Sequence, residues 1–227
     1  FIEAVLFLTI LDYVILILNM IVLLYVISSL GPSDYGSYSI ILSSYNLIFG
    51  NILYLPTVII FTELPRVKKK SDALSMMLST TIFLYLIMVV IGFIVYLIIL
   101  IIYYLNFLGK VFIYEYGKII ILAALPQTIN IISSNVFRAD LDYKSASIVK
   151  LSEDGLFLIF RLILVFTNKV TIEYLILAFV YAESLSAVIS VLMLKKWIKY
   201  VSLSKINLKL SLSYLISGSL YAGGNIL

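Results

Sequence analysis

Six long apolar runs fill nearly all of this 227-residue chain, and each is long enough to cross a bilayer as a helix. A transmembrane helix needs about 20 mostly apolar residues to cross the hydrocarbon core. Hydrophobic residues make up 63% of the sequence and the mean hydropathy is +1.15, far above a soluble domain. We therefore predict an all-α, polytopic transmembrane helix bundle with runs at 4–30, 35–62, 74–105, 117–137, 146–167 and 172–194, and a seventh starting at 211.

Positive charge alternates from loop to loop along the chain. The loops after the second, fourth and sixth runs hold 12 of the 16 basic residues, whereas the alternate loops hold only Lys110, Lys118 and Lys169. Because Lys and Arg stay on the cytoplasmic side during insertion, we expect the basic loops and the N-terminus to be cytoplasmic. The net charge of +4 then reflects topology and contact with anionic lipid headgroups, and nucleic acid is not an expected partner.

The composition excludes several kinds of active site. The chain has no cysteine and no histidine, which excludes disulfides, thiol chemistry, Cys/His metal sites and imidazole catalysis. Glu153 and Asp154 are adjacent, so on a helix they point about 100° apart and do not form one metal clamp. No hydrolase or nucleotide-binding motif is present in the sequence. We therefore expect no enzyme activity, no metal site and no cofactor.

A basic polar segment divides the sequence into two parts. Residues 195–210 form an amphipathic connector whose Trp197 and Tyr200 suit the headgroup depth of a membrane. We predict a six-helix N-terminal lobe at 1–194, this cytoplasmic connector, and the truncated start of a second lobe at 211–227. Since the chain opens without Met and stops within an apolar run, we expect it to be part of a longer protein.

Polar residues inside the apolar runs fall on single helix faces when plotted at 100° per residue. Because polar groups are costly in lipid, such faces are expected toward a bundle interior or a water-filled cavity. The third run differs, since residues 82–105 are almost wholly apolar, and we expect it at the lipid-facing rim. The candidate site residues on the polar faces are Asp12 on the first run, Asn46 on the second, Gln127, Asn130, Ser134 and Arg138 on the fourth, Lys150, Asp154 and Arg161 on the fifth, and Glu183 on the sixth.

Each charged residue in this set has two interpretations. Lys150 and Asp154 are four apart, so they form either a helix-stabilising ion pair or part of a cavity wall. Asp12 is either the counter-ion of a basic residue on another helix or a protonation site. Arg161 either snorkels outward or points inward. We favour the inward orientation, with Asp154 or Asp12 as partner, because a lone guanidinium within a membrane is costly.

Small residues and prolines also have two interpretations. Small residues repeat at four-residue spacing on the sixth run, from Ala178 to Ser190, which favours close helix packing over a ligand surface. Pro56 and Pro126 lie within predicted helices and permit kinks. Five of the six predicted helices have a polar side, which indicates a bundle around a polar cavity. This pattern favours transport.

Two segments carry a family resemblance. LYVISSLGPSDYGSYSIILS, residues 24–43, contains a Leu-Gly-Pro-x-x-Tyr-Gly turn, and NVFRADLDYKSASIVKL, residues 135–151, has an aromatic-Arg pair before a basic turn. Both are similar to the polysaccharide and O-antigen flippases of the multidrug/oligosaccharidyl-lipid/polysaccharide exporter superfamily. The chain departs from that pattern after the second run, where Pro56 and residues 64–66 replace a Gly-rich stretch followed by Arg. The resemblance implies two helical lobes around a central cavity, the first of which lies in this chain.

The resemblance implies a flippase that moves a polyprenyl phosphate-linked oligosaccharide from the cytoplasmic to the external leaflet for cell-surface glycan synthesis. Basic side chains would bind phosphate, amide and hydroxyl side chains the sugar, and acidic side chains the coupling ion, H⁺ or Na⁺. The basic set is Arg138, Lys150 and Arg161; the polar set is Asn46, Gln127, Asn130 and Ser134; the acidic set is Asp12, Asp154 and Glu183.

Two alternative functions stay open. A cation-coupled multidrug exporter of the same superfamily would use an acid-dominated cavity, for which Asp12 is the best support. A membrane-embedded glycosyl-lipid enzyme or polymerase would need large external loops with acids or histidine, which this sequence lacks. As a flippase, the chain would be a multi-pass plasma-membrane protein of a prokaryote, archaea included. Its partners would be membrane lipid, the polyprenyl-linked glycan and glycan-assembly proteins.

Overall fold

A computed structural model describes residues 2–106, 111–211 and 213, and every regular element within them is helical. Helices suit such an apolar chain because they satisfy their own backbone hydrogen bonds. The predicted all-helical class is confirmed for the described residues, whereas Lys110 and nearly all of the predicted seventh run lie outside them. The elements are α1 (Ile2–Ile52), α2 (Tyr54–Val67), α3 (Ser71–Asn106), α4 (Val111–Ile120), a 3₁₀ turn (Ile121–Ala123), α5 (Ala124–Ala139), α6 (Tyr143–Phe166), α7 (Ile172–Met193), α8 (Lys195–Ile198) and a second 3₁₀ turn (Leu203–Lys205).

Four helical stretches of the described chain are long and apolar enough to cross a membrane. They are Thr9–Val67, Ser71–Leu105, Tyr114–Ala139 and Ile172–Met193. The first stretch contains the second predicted run, 35–62, and all but the first five residues of the first, 4–30. The predicted fifth run corresponds to α6, whose charged residues set it apart from these four apolar stretches. By length and composition, the helices are compatible with a membrane protein.

Gly31 divides α1 into two arms that run back along each other. Its φ of 75° and ψ of 167° are non-helical, and residues with a side chain rarely adopt them. Ile15 in the first arm lies against Gly155 of α6. Tyr38 in the second arm bonds Arg161, only six residues further along the same helix. In a straight helix Ile15 and Tyr38 would be about 35 Å apart, so the chain reverses at Gly31, as the Gly-Pro turn predicts.

Two prolines lie at helix boundaries and not within kinked helices. Pro56 is in the first turn of α2, just after the break at Leu53. Pro126 is in the first turn of α5, just after the 3₁₀ turn. In a first turn the absent N–H would have no intrahelical partner in any case, so proline costs little there. The predicted kinks are therefore breaks, which divide the predicted runs 35–62 and 117–137.

The loops gather at two ends of the bundle that differ in charge. At one end, Lys68 of the α2–α3 loop and Lys196 of α8 each lie 3.3 Å from Asp140 of the α5–α6 turn. At the far end of α6, Asp34 of α1 and Thr171 before α7 line one small cavity of about 200 Å³. The loops that carry most of the basic residues therefore lie together, as the charge alternation predicts. We call this the basic end.

Helix α3 has one buried face and one exposed face. Tyr85 and Tyr96 are fully buried against the rest of the bundle, so the third run contributes to the core. Leu86, Val90 and Phe93 lie on the opposite, exposed face. That exposed apolar face is the one expected to meet lipid if α3 lies at the rim of the bundle.

The start of α3 holds the connector at the basic end. Ser75 Oγ donates to the carbonyl oxygen of Tyr200 at 2.6 Å. One helical turn later, Ser79 Oγ accepts from Ser202 N at 2.8 Å. Because both bonds involve the connector backbone, the segment after α8 is fixed against α3 and is not a loose tether.

Candidate functional site

A cleft of about 250 Å³ opens between the first arm of α1, the end of α5 and the start of α6. Three predicted site residues line it, Asp12, Arg138 and Lys150, and each comes from a different helix. The remaining lining residues are Thr9, Tyr143, Ala146, Ser147 and Leu151. We call it the Asp12 cleft. It lies beside the α5–α6 turn and therefore near the basic end.

A tight turn between α5 and α6 sets two cations beside each other. Leu141 has a φ of 63°, the left-handed conformation that usually selects glycine after a helix, and backbone bonds close a Schellman motif around it. Asp142 then caps α6, since its carboxylate accepts from Ser145 N at 3.1 Å and from Ser145 Oγ at 2.8 Å. Backbone groups at the end of α5 and at the start of α6 thus find hydrogen-bond partners within the turn. Arg138 and Lys150 remain available to the cleft.

The Asp12 cleft carries cations that are only weakly engaged. Lys150 Nζ lies 3.0 Å from Asp154, but the two side chains are 46% and 34% exposed. An ion pair that is this solvated contributes little, so Lys150 can exchange its partner. Arg138 is exposed and has no ion pair within the described part of the chain. A guanidinium and an ammonium facing water can bind an anionic group such as phosphate.

Arg161 lies inside the bundle, about 10 Å along α6 from Asp154. The residue is only 7% exposed, Nη2 donates to Tyr38 OH at 3.1 Å, and the guanidinium lies 3.8 Å from the Phe157 ring centre. Its buried Nε has no hydrogen-bond partner. The inward orientation is as predicted. The predicted pairing with Asp154 or Asp12 is wrong, because Arg161 bonds Tyr38 in the second arm of α1 and forms no ion pair with either acid.

A closed polar cluster joins α5, α6 and α7. Asn130 Nδ2 donates to Glu183 Oε2 at 2.9 Å, and Ser190 Oγ donates to Asn130 Oδ1 at 2.8 Å. These three side chains are buried, and Glu153 of α6 lies near Glu183. We call the four residues the α5–α7 cluster. Asn130, predicted to bind sugar, is thus already bonded to the neighbouring helix.

The ladder of small residues on α7 packs against its neighbours. Ala178, Ala182, Ser186 and Ser190 are all buried. Ser186 Oγ lies 2.8 Å from Ser152 Oγ of α6, so the two helices approach closely there. The interpretation as a close-packing surface is therefore confirmed.

The other predicted sugar ligands do not converge on the Asp12 cleft. Gln127 is half-buried and accepts a hydrogen bond from Tyr45 OH at 3.0 Å. Asn46 is exposed on the second arm of α1, and Ser134 is half-buried on α5. None of these three side chains lines the cleft. The cations and the amides predicted for one site are therefore in different places.

The sequence pattern does not anticipate a second polar network, which joins α5, α2 and α3. Asn135 Nδ2 donates to Thr57 Oγ1 at 3.0 Å, and Thr57 Oγ1 lies 2.8 Å from Tyr85 OH. The available signal was Tyr85 itself, a hydroxyl group within an otherwise apolar run. Because its members bond one another, this network is a link between helices.

Neither a metal-binding cluster in the described residues nor a match to a known protein indicates what the site does. Within the described residues, no group of three or more His, Cys, Asp or Glu side chains is arranged to hold a metal ion. The geometry of the Asp12 cleft and of the buried charges is therefore the basis for a functional assignment. No protein-family model, curated protein or solved structure matches the chain.

Proposed function

We propose that the chain is the N-terminal lobe of a flippase that moves a polyprenyl phosphate-linked oligosaccharide across the plasma membrane. The observation that carries the proposal is the Asp12 cleft, where Arg138 and Lys150 face water beside the basic end. An anionic, highly hydrated headgroup meets a large desolvation barrier in lipid. Cations at the entrance, and the buried guanidinium of Arg161 further along α6, would replace water as partners of the phosphate.

The proposed topology has six spans with the N-terminus and the basic end in the cytoplasm. The first span is the first arm of α1, and the second is the second arm of α1 continued by α2. The third is α3, the fourth is α4 followed by α5, and the fifth and sixth are α6 and α7. Ser71 and Ser33 are both exposed and lie toward opposite ends. In intact cells a Ser71→Cys variant should be shielded from an impermeant thiol reagent, while Ser33→Cys should react. The reverse labelling pattern would overturn the orientation.

The acidic residues would couple transport to H⁺ or Na⁺. Asp12 and Asp154 lie beside the cations of the Asp12 cleft, so arrival of a phosphate would change their partners. Glu183 and Glu153 lie close together between α7 and α6, and a proton or Na⁺ bound by either carboxyl group would be the coupling ion at that position. Alternating access would then rock this lobe against a second one around the cavity between them.

Transport by the full-length protein in proteoliposomes tests the proposal, because alternating access needs both lobes. A fluorescent polyprenyl phosphate-linked oligosaccharide is loaded into the outer leaflet, and its loss of accessibility is followed over time. Each charge-assisted hydrogen bond is worth about 1.5–3 kcal/mol. We therefore expect the double variant Arg138→Gln/Lys150→Gln to slow transport at least about 100-fold.

The matched control is Arg66→Gln/Lys144→Gln, which also removes one guanidinium and one ammonium at the basic end. Both residues are exposed, and neither lines the Asp12 cleft. Equal transport rates for the two double variants would exclude the cleft as the entrance. Export of a cationic drug that Asp12→Asn slows and the cleft double variant leaves unchanged would instead favour the multidrug exporter.

A further inference from the structure

A second groove, of about 380 Å³, lies at the basic end apart from the Asp12 cleft. Four segments build it: the α2–α3 loop, the start of α3, the α5–α6 turn and the start of the connector. We call it the lysine groove. Its lining residues are Lys68, Lys69, Leu74, Asp140, Lys196, Trp197, Lys199 and Tyr200.

The lysine groove holds an excess of fixed positive charge. Four lysines line it against one carboxylate, Asp140, which contacts both Lys68 and Lys196 at 3.3 Å. Lys69 and Lys199 have no acidic partner in the part of the chain that the structure describes. The lining residues carry a net charge of three positive, and Asp142, 4.0 Å from Lys196, lowers the local charge to two positive. That excess corresponds to the ammonium groups of Lys69 and Lys199.

The groove also has an aromatic wall that is held in place. Trp197 is 8% exposed, and its buried indole N–H has no hydrogen-bond partner. Leu74 is buried beside it, and Lys199 Nζ lies 5.1 Å from the centre of the Tyr200 ring. Ser75 fixes the Tyr200 backbone against α3, so the wall is part of the folded bundle. Tryptophan and tyrosine next to lysines are typical of headgroup depth in a membrane.

We propose that the lysine groove binds the phosphate headgroup of an anionic phospholipid from the surrounding bilayer. The lysines would contact the phosphate, and Trp197 and Tyr200 would contact the glycerol and the start of the acyl chains. A free phosphate ion would use the lysines but not the aromatic wall. The inference rests on the membrane-spanning part of the proposed function and is independent of the transported substrate. A lipid held there would bridge the connector to two other loops.

Fluorescence of Trp197 in nanodiscs tests this site. Nanodiscs contain phosphatidylcholine with increasing fractions of phosphatidylglycerol, and one of the two lipids carries brominated acyl chains that quench tryptophan. The difference from a Trp197→Phe variant isolates the signal of this indole. We expect brominated phosphatidylglycerol to quench at a lower mole fraction than brominated phosphatidylcholine. Lys69→Gln/Lys199→Gln should reduce that preference by about fivefold for each lysine removed.

The matched control is Lys195→Gln/Lys209→Gln, which removes two exposed charges of the same connector from outside the groove. It should keep the preference for phosphatidylglycerol. An equal loss in both double variants would assign the preference to diffuse attraction and overturn the site. Displacement of the lipid by inorganic phosphate at millimolar concentration would assign the groove to a soluble anion, which also overturns the proposal. Transport measured on the same proteins separates this outcome from failure of the flippase assignment.

Discussion

The Asp12 cleft and the α5–α7 cluster are both built from polar residues on apolar helices, yet they differ in how those residues are satisfied. In the cleft, Arg138 is exposed and Lys150 has one partly exposed partner, Asp154. In the cluster, Asn130 and Glu183 are buried and bonded to each other across two helices. At these two places the polar faces lie in a cleft or between helices, whereas Asn46 on another polar face is exposed. Whether a neighbouring helix or a ligand satisfies a polar side chain depends on how closely the helices approach.

Side-chain size explains where the helices close. The small ladder on α7 lets α5 and α6 come near, so that short groups such as Ser152 and Ser186 touch. At the α5–α6 turn the facing residues are long, Arg138 and Lys150, and they leave a cleft of about 250 Å³. The same polar pattern thus yields a link in one region and an opening in the other.

The largest expected effect comes from breaking the α5–α7 cluster. Asn130→Leu removes the bond to Glu183 and the bond from Ser190, and it leaves a buried carboxyl and a buried hydroxyl without that partner. Interhelical hydrogen bonds in membranes are worth about 0.6–1.7 kcal/mol each, and an unsatisfied buried group adds to the loss. We expect the free energy of unfolding in mixed micelles to fall by about 2–3 kcal/mol.

Asn46→Leu is the matched control, because Asn46 is an exposed amide on another apolar helix, whereas Asn130 is buried and bonded to α7. Its effect on unfolding should stay within about 0.5 kcal/mol. Similar losses for Asn46 and Asn130 would mean that burial does not separate the two classes of amide.

The sequence alone was sufficient to predict the features that are determined within a single helix or turn. The all-helical class, the reversal at Gly31 and the inward orientation of Arg161 follow from hydrophobicity, backbone preference and the cost of charge in lipid. The side-chain contacts between helices were not predictable, because they depend on how two helices are rotated and how far apart they lie. Arg161 meets Tyr38, and Asn130 meets Glu183, through contacts that no spacing within one helix encodes.

Loosening the first arm of α1 should open the cleft and spare the cluster. A methyl group added at Gly31 would meet no atom within 4 Å, but the φ of 75° is strained for any residue with a side chain. Gly31→Ala should therefore lower the free energy of unfolding by about 1–3 kcal/mol through the backbone alone. A Cys at Ser147, which lines the cleft, should become more reactive, while a Cys at Ser186 should not.

Gly36→Ala is the control for this change. Gly36 lies further along α1 in the second arm, has no positive φ, and also has open space around the position of an added methyl group. Alanine there should leave the protein as stable or raise its stability by about 0.5–1 kcal/mol. Equal destabilisation at both glycines would show that the reversal is not held by the conformation of Gly31.

Arg161 combines features of the two regions. Its side chain is buried, as in the α5–α7 cluster, but its Nε has no hydrogen-bond partner, so it is not fully satisfied. Arg161→Ala should slow transport about tenfold while protein level and insertion stay normal, since the side chain loses one hydrogen bond, to Tyr38, and no ion pair within the described residues. Arg161→Lys should restore only part of the rate, because the planar fork that binds phosphate is absent. If the Arg161→Ala variant transports at the normal rate, Arg161 has only a structural role, through its contacts with Tyr38 and Phe157.

The smallest expected effect is the coupling between Lys150 and Asp154. Their atoms are 3.0 Å apart, but both side chains are partly exposed, so solvent screens the attraction and either group can find water instead. A double-mutant cycle with Lys150→Gln and Asp154→Asn should give a coupling free energy of only about 0.3–0.5 kcal/mol for unfolding. The same cycle measured for transport should give a different result if, as proposed, Lys150 leaves Asp154 to meet a phosphate. Lys150→Gln and Asp154→Asn should then each slow transport, because the first removes a proposed phosphate contact and the second removes a proposed coupling acid. A coupling above about 2 kcal/mol for unfolding would mean that the pair is locked, and the Asp12 cleft would then resemble the α5–α7 cluster.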